Sequence, residues 1–292
     1  MKIHHLNCIS TCPLGGRLMD GRTPGLWRGE LACHCLLLEF PDRLVLVDTG
    51  LGMQDVRHPR QRLSTFFLAL LSPDLREEMT AVAQVRRLGF RPEDVTDIVM
   101  THLDFDHAGG LDDFPEALVH LLASERAAAE SQRTWLDRQR FRPAQWSSRK
   151  RWIGYGEAGE RWKGFDAVSA LRGLPPDILL VPLTGHTLGH AGVAVHGADG
   201  WLLNAGDAYF HHGELGERPY CTPGLRFYQW MMEKDRRARL HNQARLRALA
   251  QTSGSGVALF CSHDPIEFER HAGHALRDPV AAGEACFHRD PD

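Results

Sequence analysis

Thr101-His102-Leu103-Asp104-Phe105-Asp106-His107-Ala108-Gly109-Gly110 packs two histidines and two carboxylates into six residues, directly after the run Asp97-Ile98-Val99-Met100. A buried strand over that run would deliver all four side chains together at its C-terminal end. Imidazole offers a neutral nitrogen and carboxylate a hard oxygen, the donors that suit zinc, manganese and iron. The stretch therefore points to a metal loop at the end of a strand.

The same arrangement recurs along the chain. Asp48 stands in Val47-Asp48-Thr49-Gly50 after Leu44-Val45-Leu46-Val47. His186 stands in Thr184-Gly185-His186-Thr187-Leu188-Gly189-His190, Asp207 in Asn204-Ala205-Gly206-Asp207-Ala208, and His263 in Cys261-Ser262-His263-Asp264. Taken singly, Asp48 or Asp207 reads as a turn former and His263 as an ordinary polar residue. Taken in order, each behind an apolar run, they read as ligands or ligand supports gathered at one edge of a sheet.

From about residue 30 to 265 this series resembles the metallo-β-lactamase superfamily, whose metal motif is His-x-His-x-Asp-His. One position departs: Asp104 stands where the second His is expected. The resemblance implies an α/β fold, a four-layer αβ/βα sandwich with two metal ions at one edge. By resemblance His102, Asp104 and His186 hold the first ion, Asp106, His107 and His263 hold the second, and Asp207 bridges them. Asp48 falls behind the ligands as a support, and His190 is either a second support or part of a turn. Two readings of Asp104 stay open. It is a ligand that replaces imidazole by carboxylate, which is the expectation because every other ligand position is intact, or it weakens the first site. The resemblance implies two divalent ions, zinc first; the extra oxygen donor brings manganese and iron into range.

Composition sets the outer bounds. With 292 residues, 43% hydrophobic and 24% charged, the chain suits one large globular domain spanning 1–292. The net charge of −3 carries no nucleic-acid signature. No apolar run approaches the ~18 residues of a membrane span, and the segment Met1-Lys2-Ile3-His4-His5-Leu6-Asn7-Cys8 lacks the apolar core of a signal peptide. Seven cysteines without a Cys-x-x-Cys pair read as reduced thiols, so a cytoplasmic location is expected. Cys33 and Cys35 alternate onto one strand face and read as buried thiols rather than ligands.

Pattern reading places strands within 31–47 around the turn Pro41-Asp42-Arg43, and at 97–100, 178–183, 191–196, 201–204 and 256–261. It places helices at 73–88, with Ser72 as N-cap and Gly89 as stop, at 123–140 and at 233–251. Residues 123–175 are expected to form a helical, basic and aromatic cap, and the tail from about 270 to 292 to be poorly ordered. Within 130–172 lie ten Lys/Arg against five Asp/Glu and four of the seven Trp, with Ser147-Ser148-Arg149-Lys150-Arg151-Trp152 as the most basic point. Such a segment caps a site, binds an anion or acyl chain, touches nucleic acid, or forms a subunit interface, a homodimer among its outcomes, or a solvated face. Gly154-Tyr155-Gly156-Glu157-Ala158-Gly159 fits G-x-G-x-x-G but does not follow a buried strand, which argues against a dinucleotide site.

The implied activity is hydrolysis. A metal-bound hydroxide would attack an ester or lactone carbonyl, with Asp106 taking or orienting the proton. The lactonase branch of the family uses a tyrosine near the bridging Asp, and Tyr209 lies two residues after Asp207. The expected partner is a small ester or lactone, an N-acyl homoserine lactone as one candidate, with no membrane and no nucleic acid. A phosphodiesterase or nuclease of the same fold and a diiron redox protein are the alternatives.

Overall fold

The computed structural model describes residues 1–149, 151–156 and 158–282. Two six-stranded sheets face each other. The first runs in order β1 (Lys2–Asn7), β2 (His34–Glu39), β3 (Leu44–Val47), β4 (Val95–Val99), β5 (Leu118–Leu122) and β6 (Trp152–Tyr155). The second has β7 (Glu160–Trp162), β8 (Phe165–Ala170), β9 (Ile178–Pro182), β10 (Ala191–Gly197), β11 (Gly200–Asn204) and β12 (Val257–Phe260), with the last at its far edge. β1 to β3 pair antiparallel, β3 to β6 parallel. In the second sheet only β11 and β12 pair parallel.

The period-two alternation of strand side chains explains the layers. Leu36, Leu38, Val45 and Val47 turn inward and meet Leu180, Val193, Val195 and Phe260 of the other sheet. Leu37, Leu46 and Ile98 turn the other way and pack with Ala81, Val82 and Val85 of the helix Ala81–Arg87. On the outer face of the second sheet Val181, Ala194 and Leu203 pack with Leu246 and Leu249 of the helix Arg236–Gln251. Strands covered on both faces read as continuous apolar runs, which is why they stand out in the sequence. The result is the four-layer αβ/βα sandwich.

Several elements differ from the sequence reading. The helix expected at 73–88 begins at Ala81, capped by Thr80, whose hydroxyl accepts from the Ala83 amide. Ser72 instead ends the preceding helix Thr65–Leu71 in a left-handed conformation. The helix expected at 123–140 is two, Ala123–Ser131 and Trp135–Arg140, divided at Gln132, whose φ is 40°. The segment 123–175 is helical only in its first part; β6 and β8 lie inside it and extend the two sheets. Its basic side chains are largely spent internally: Arg149 donates to the carbonyls of Leu111 and Phe114, Arg151 to Glu116 and Arg142 to Arg62. At the C-terminal end, Leu276 and Val280 are buried, and Asn7 and Gln84 hydrogen-bond the backbone there. The expected disorder of 283–292 lies outside the described residues, as do Lys150 and Glu157. Among the described residues no helix is long and apolar enough to cross a membrane. Six cysteines in that range are free thiols, Cys33 and Cys35 both buried on the first core.

Candidate metal centre

The site forms where strands of both sheets end. Asp48 follows β3, His102 to His107 follow β4, His186 and His190 join β9 to β10, Asp207 follows β11 and His263 follows β12. The Ala191 amide donates to the Thr101 carbonyl at 2.9 Å, and the His34 amide to the Ser262 carbonyl at 2.9 Å, so backbone bonds fix the two edges to each other. Gly206, with φ of 55°, is needed for close approach: a Cβ there would lie 2.5 Å from His190 Nε2.

Two sets of donors converge, His102–His186–Asp207 and Asp106–His107–His263, all buried. In the second set the Nε2 atoms of His107 and His263 lie 3.4 Å apart. Asp207 Oδ1 is 3.4 Å from His107 Nε2 and its Oδ2 is 3.2 Å from His263 Nε2. Asp106 Oδ2 lies 3.7 Å from His263 Nε2. In the first set Asp207 Oδ2 lies 3.4 Å from His186 Nε2 and 3.8 Å from His102 Nε2. Donor atoms bound near 2.1 Å to one ion fall about 3–3.5 Å from each other. His102 Nε2 and Asp207 Oδ1 are buried without a hydrogen-bond partner among the described residues. Buried polar atoms are rarely left so, and a cation between the donors would satisfy both. The residues therefore fit the ion that the fold implies, and Asp207 stands between the two sets.

Supports behind the donors differ between the sets. Asp48, at φ of 56°, accepts from the Thr101 amide (2.8 Å) and hydroxyl (2.7 Å) and from His107 Nδ1 (2.9 Å). His263 Nδ1 donates to the Ala32 carbonyl at 2.7 Å. His190 donates from Nδ1 to the Leu183 carbonyl and accepts the Asp207 amide at Nε2, each at 2.8 Å, so it aims Asp207. Burial, with His186 nearby, pushes its imidazole down to about 3, which keeps it in that neutral form. His186 Nδ1, by contrast, has no partner among the described residues.

The Asp104 carboxylate lies 3.0 Å from His186 Nε2 and 3.4 Å from His102 Nε2, but Arg140 grips it. Arg140 Nε donates to Asp104 Oδ1 at 2.6 Å and its second terminal nitrogen to Oδ2 at 2.5 Å. Burial alone would raise the Asp104 carboxyl; Arg140 and the imidazoles hold it well below the usual range. Burial raises Asp106, while Asp207 is carried well below its usual range, against burial, by His263 and His107.

Tyr209 is brought near the site by the chain but does not face it. Its hydroxyl donates to Glu267 at 3.0 Å, inside the core behind the second sheet. The tyrosine that does feel the centre is Tyr228, on the helix Pro223–Met232. Burial raises its phenol, and Asp106, Asp104 and Asp207 raise it further. Its ring packs edge-on against Phe210, which stacks on His263 with centroids 5.1 Å apart. The Tyr228 hydroxyl has no hydrogen bond among the described residues. Sequence reasoning missed Tyr228, which lies far from every motif, and Arg140, hidden in a basic segment. It also missed Glu125, which accepts from the Leu103 amide (2.9 Å), the Thr187 hydroxyl (2.6 Å) and the Gly189 amide (3.1 Å) and so joins the two ligand loops.

A model of the metallo-beta-lactamase superfamily matches residues 28–253. The chain belongs to that superfamily. Within it, a probable metallo-hydrolase of Mycobacterium tuberculosis is 37% identical over 265 residues, covering 91% of this chain and 81% of that protein. An N-acyl homoserine lactonase of Bacillus cereus is 34% identical over 107 residues, 37% of this chain and 43% of that one. A solved N-acyl homoserine lactone hydrolase, with the product N-hexanoyl-L-homoserine at its catalytic metal centre, superposes with a TM-score of 0.69 over 96% of this chain and 98% of that one. Its identity is 21%, so the likeness carries the fold. A dizinc quorum-quenching lactonase superposes with a TM-score of 0.57 at 16% identity over 90% and 89% of the two chains. Membership of this superfamily makes the chain a metal-dependent hydrolase by family.

Proposed function

We propose that this metallo-hydrolase cleaves an uncharged carbonyl ester, a lactone first of all, with an N-acyl homoserine lactone as one candidate. The observation that carries the reading is the convergence of His102, His186, Asp207, Asp106, His107 and His263 at one edge of the sandwich. Two donor sets meeting at Asp207 support two ion positions, zinc first and manganese or iron next. A bound divalent ion supplies the Lewis acidity that makes water a nucleophile near neutral pH and polarises a carbonyl.

The chain's own groups complete the reading. Asp106, with Oδ2 3.7 Å from His263 Nε2, is the group placed to take or orient a proton. Tyr228 keeps its phenolic proton, because burial and three carboxylates oppose its loss, and that proton is available to a leaving alkoxide. Phe67, Phe105, Phe210 and Met232 share one apolar cluster with Tyr228, surroundings that suit an acyl group. Arg142, Arg149 and Arg151 of the basic segment are committed to backbone carbonyls, which argues against a phosphodiester or nucleic acid as substrate. The Arg140 grip on Asp104 likewise removes the free carboxylate on which a diiron redox reading depends.

The test is a panel of N-acyl homoserine lactones, other lactones, aryl esters and an aryl phosphodiester, assayed with zinc, manganese or iron. Lactone turnover that disappears in Asp207→Ala supports the proposal. Turnover of the phosphodiester alone, or of nothing with any metal, overturns it.

A further inference from the structure

We infer that Arg140 is the resident cation of the first half of the centre, so that the chain holds one divalent ion tightly, between Asp106, His107, His263 and Asp207, and a second only weakly between His102 and His186. The inference rests on reading the cluster as a metal centre and goes on to say how unequal its halves are.

Arg140 is wholly buried, the largest fully buried side chain among the described residues. It is fixed at every donor group. Besides the two bonds to Asp104, one terminal nitrogen donates to the Met232 carbonyl at 2.6 Å. The other lies 2.8 Å from His186 Nε2. The backbone holds it there as well, since Asp104 bridges to Phe141, the next residue after Arg140. A bidentate guanidinium on a carboxylate is among the strongest of polar contacts, and one with no exposed surface has nowhere to swing.

Three consequences follow for a second ion. The His186 lone pair that faces His102 and Asp207 already has an N–H beside it, so a metal must displace that contact. Both Asp104 oxygens already carry an N–H donor, and its charge is balanced by Arg140. A dication placed against a guanidinium meets like-charge repulsion that burial strengthens. The second half has none of these features: among the described residues no guanidinium touches its donors, and Asp48 and the Ala32 carbonyl orient His107 and His263. Such backing groups typically govern metal affinity by about 10–100-fold, and His186 has none at Nδ1. The Asp104–Arg140 pair thus reads as one unit: the carboxylate that replaces the family's imidazole arrives with its own cation.

The experiment is titration of the metal-free chain with Zn²⁺ against a competing chelator, with stoichiometry read by native mass spectrometry. Wild type is expected to take one ion at least about 100-fold more tightly than a second. His102→Ala should keep the tight ion and His263→Ala should lose it. Arg140→Met, and the double variant Asp104→His/Arg140→Met, should bring the second affinity up at least tenfold, with circular dichroism confirming that each remains folded. Two ions of comparable affinity in wild type, loss of the tight ion in His102→Ala with retention in His263→Ala, or folded Arg140 variants with unchanged affinities would overturn the inference. No substrate enters these measurements. A chain with one tight ion that hydrolyses nothing would sink the proposed activity and keep this inference; two equal ions with lactone turnover would do the reverse.

Discussion

A tyrosine helps an ester hydrolase only if its proton is free to reach the leaving group. The Tyr209 proton is committed to Glu267, whereas the Tyr228 hydroxyl has no hydrogen-bond partner among the described residues and lies in the field of Asp106, Asp104 and Asp207. Tyr228→Phe should therefore lower kcat on a lactone by about 100-fold at unchanged metal content. Tyr209→Phe should leave kcat within about twofold and cost about 1–2 kcal/mol of stability. Equal kcat losses in both, measured at saturating metal, would remove Tyr228 from the mechanism. Glu267 itself gives a pH signature. Burial, then Asp264, raises its carboxyl from 4.5 to about 7. Folding disfavours its charged form, so the penalty is absent below the unfolded pKa and grows as pH rises through the folded one. Between pH 5 and 8 wild type should lose about 2 kcal/mol that Glu267→Gln does not lose, compared by urea unfolding. Asp264 and its partner His212 titrate near by but are common to both proteins, so the difference isolates Glu267. Parallel stability curves for the two proteins would contradict the assignment.

At the scale of elements, what burial wrote into the sequence was readable and what capping wrote was not. β3, β4 and β9 to β12 are short apolar runs, and the sequence reading finds each within one or two residues. The candidate donors of the proposed centre come with them, because each lies just beyond such a run. β6 to β8 carry Trp, Arg and Gly and are mostly half-buried or exposed, so no periodicity marks them. Helix starts fail for a different reason. Ser72-Pro73 looks like an N-cap followed by Pro at the first position, yet Ser72 closes one helix in a left-handed turn and Thr80 opens the next. The contest between two plausible caps is decided by packing: Ala81, Val82 and Val85 seat on the first sheet. Thr80→Ala should accordingly cost about 1 kcal/mol, whereas Ser72→Gly, which relieves a positive φ, should be neutral or stabilising. Thermal or urea midpoints of the two variants separate the assignments, and a larger loss for Ser72→Gly would restore the earlier helix start.

Over the whole molecule, the centre lies where the two sheets are joined. The first sheet sends His102, Asp106 and His107; the second sends His186, Asp207 and His263. Asp104 and Arg140, both also from the first half of the chain, extend that contact to His186 and to the Met232 carbonyl. Pairwise contact cannot explain why so many ionisable groups are kept in a dry seam, since each carboxylate there carries a desolvation cost. An ion that binds only the folded chain offsets that cost, and mass action then ties stability to free metal. An ion at a thousandfold its dissociation constant stabilises by about 4 kcal/mol, which for a chain of this size is a shift in Tm of about 10 °C. Dialysis against a strong chelator should lower Tm by that order, and readdition of Zn²⁺ should restore it. In Asp207→Ala, which removes the carboxylate shared by both sets, the chelator should shift Tm by no more than about 2 °C. An equal chelator shift in the variant would place the stabilising ion outside this seam, and no shift in wild type would leave the seam held by Arg140 and the imidazoles alone.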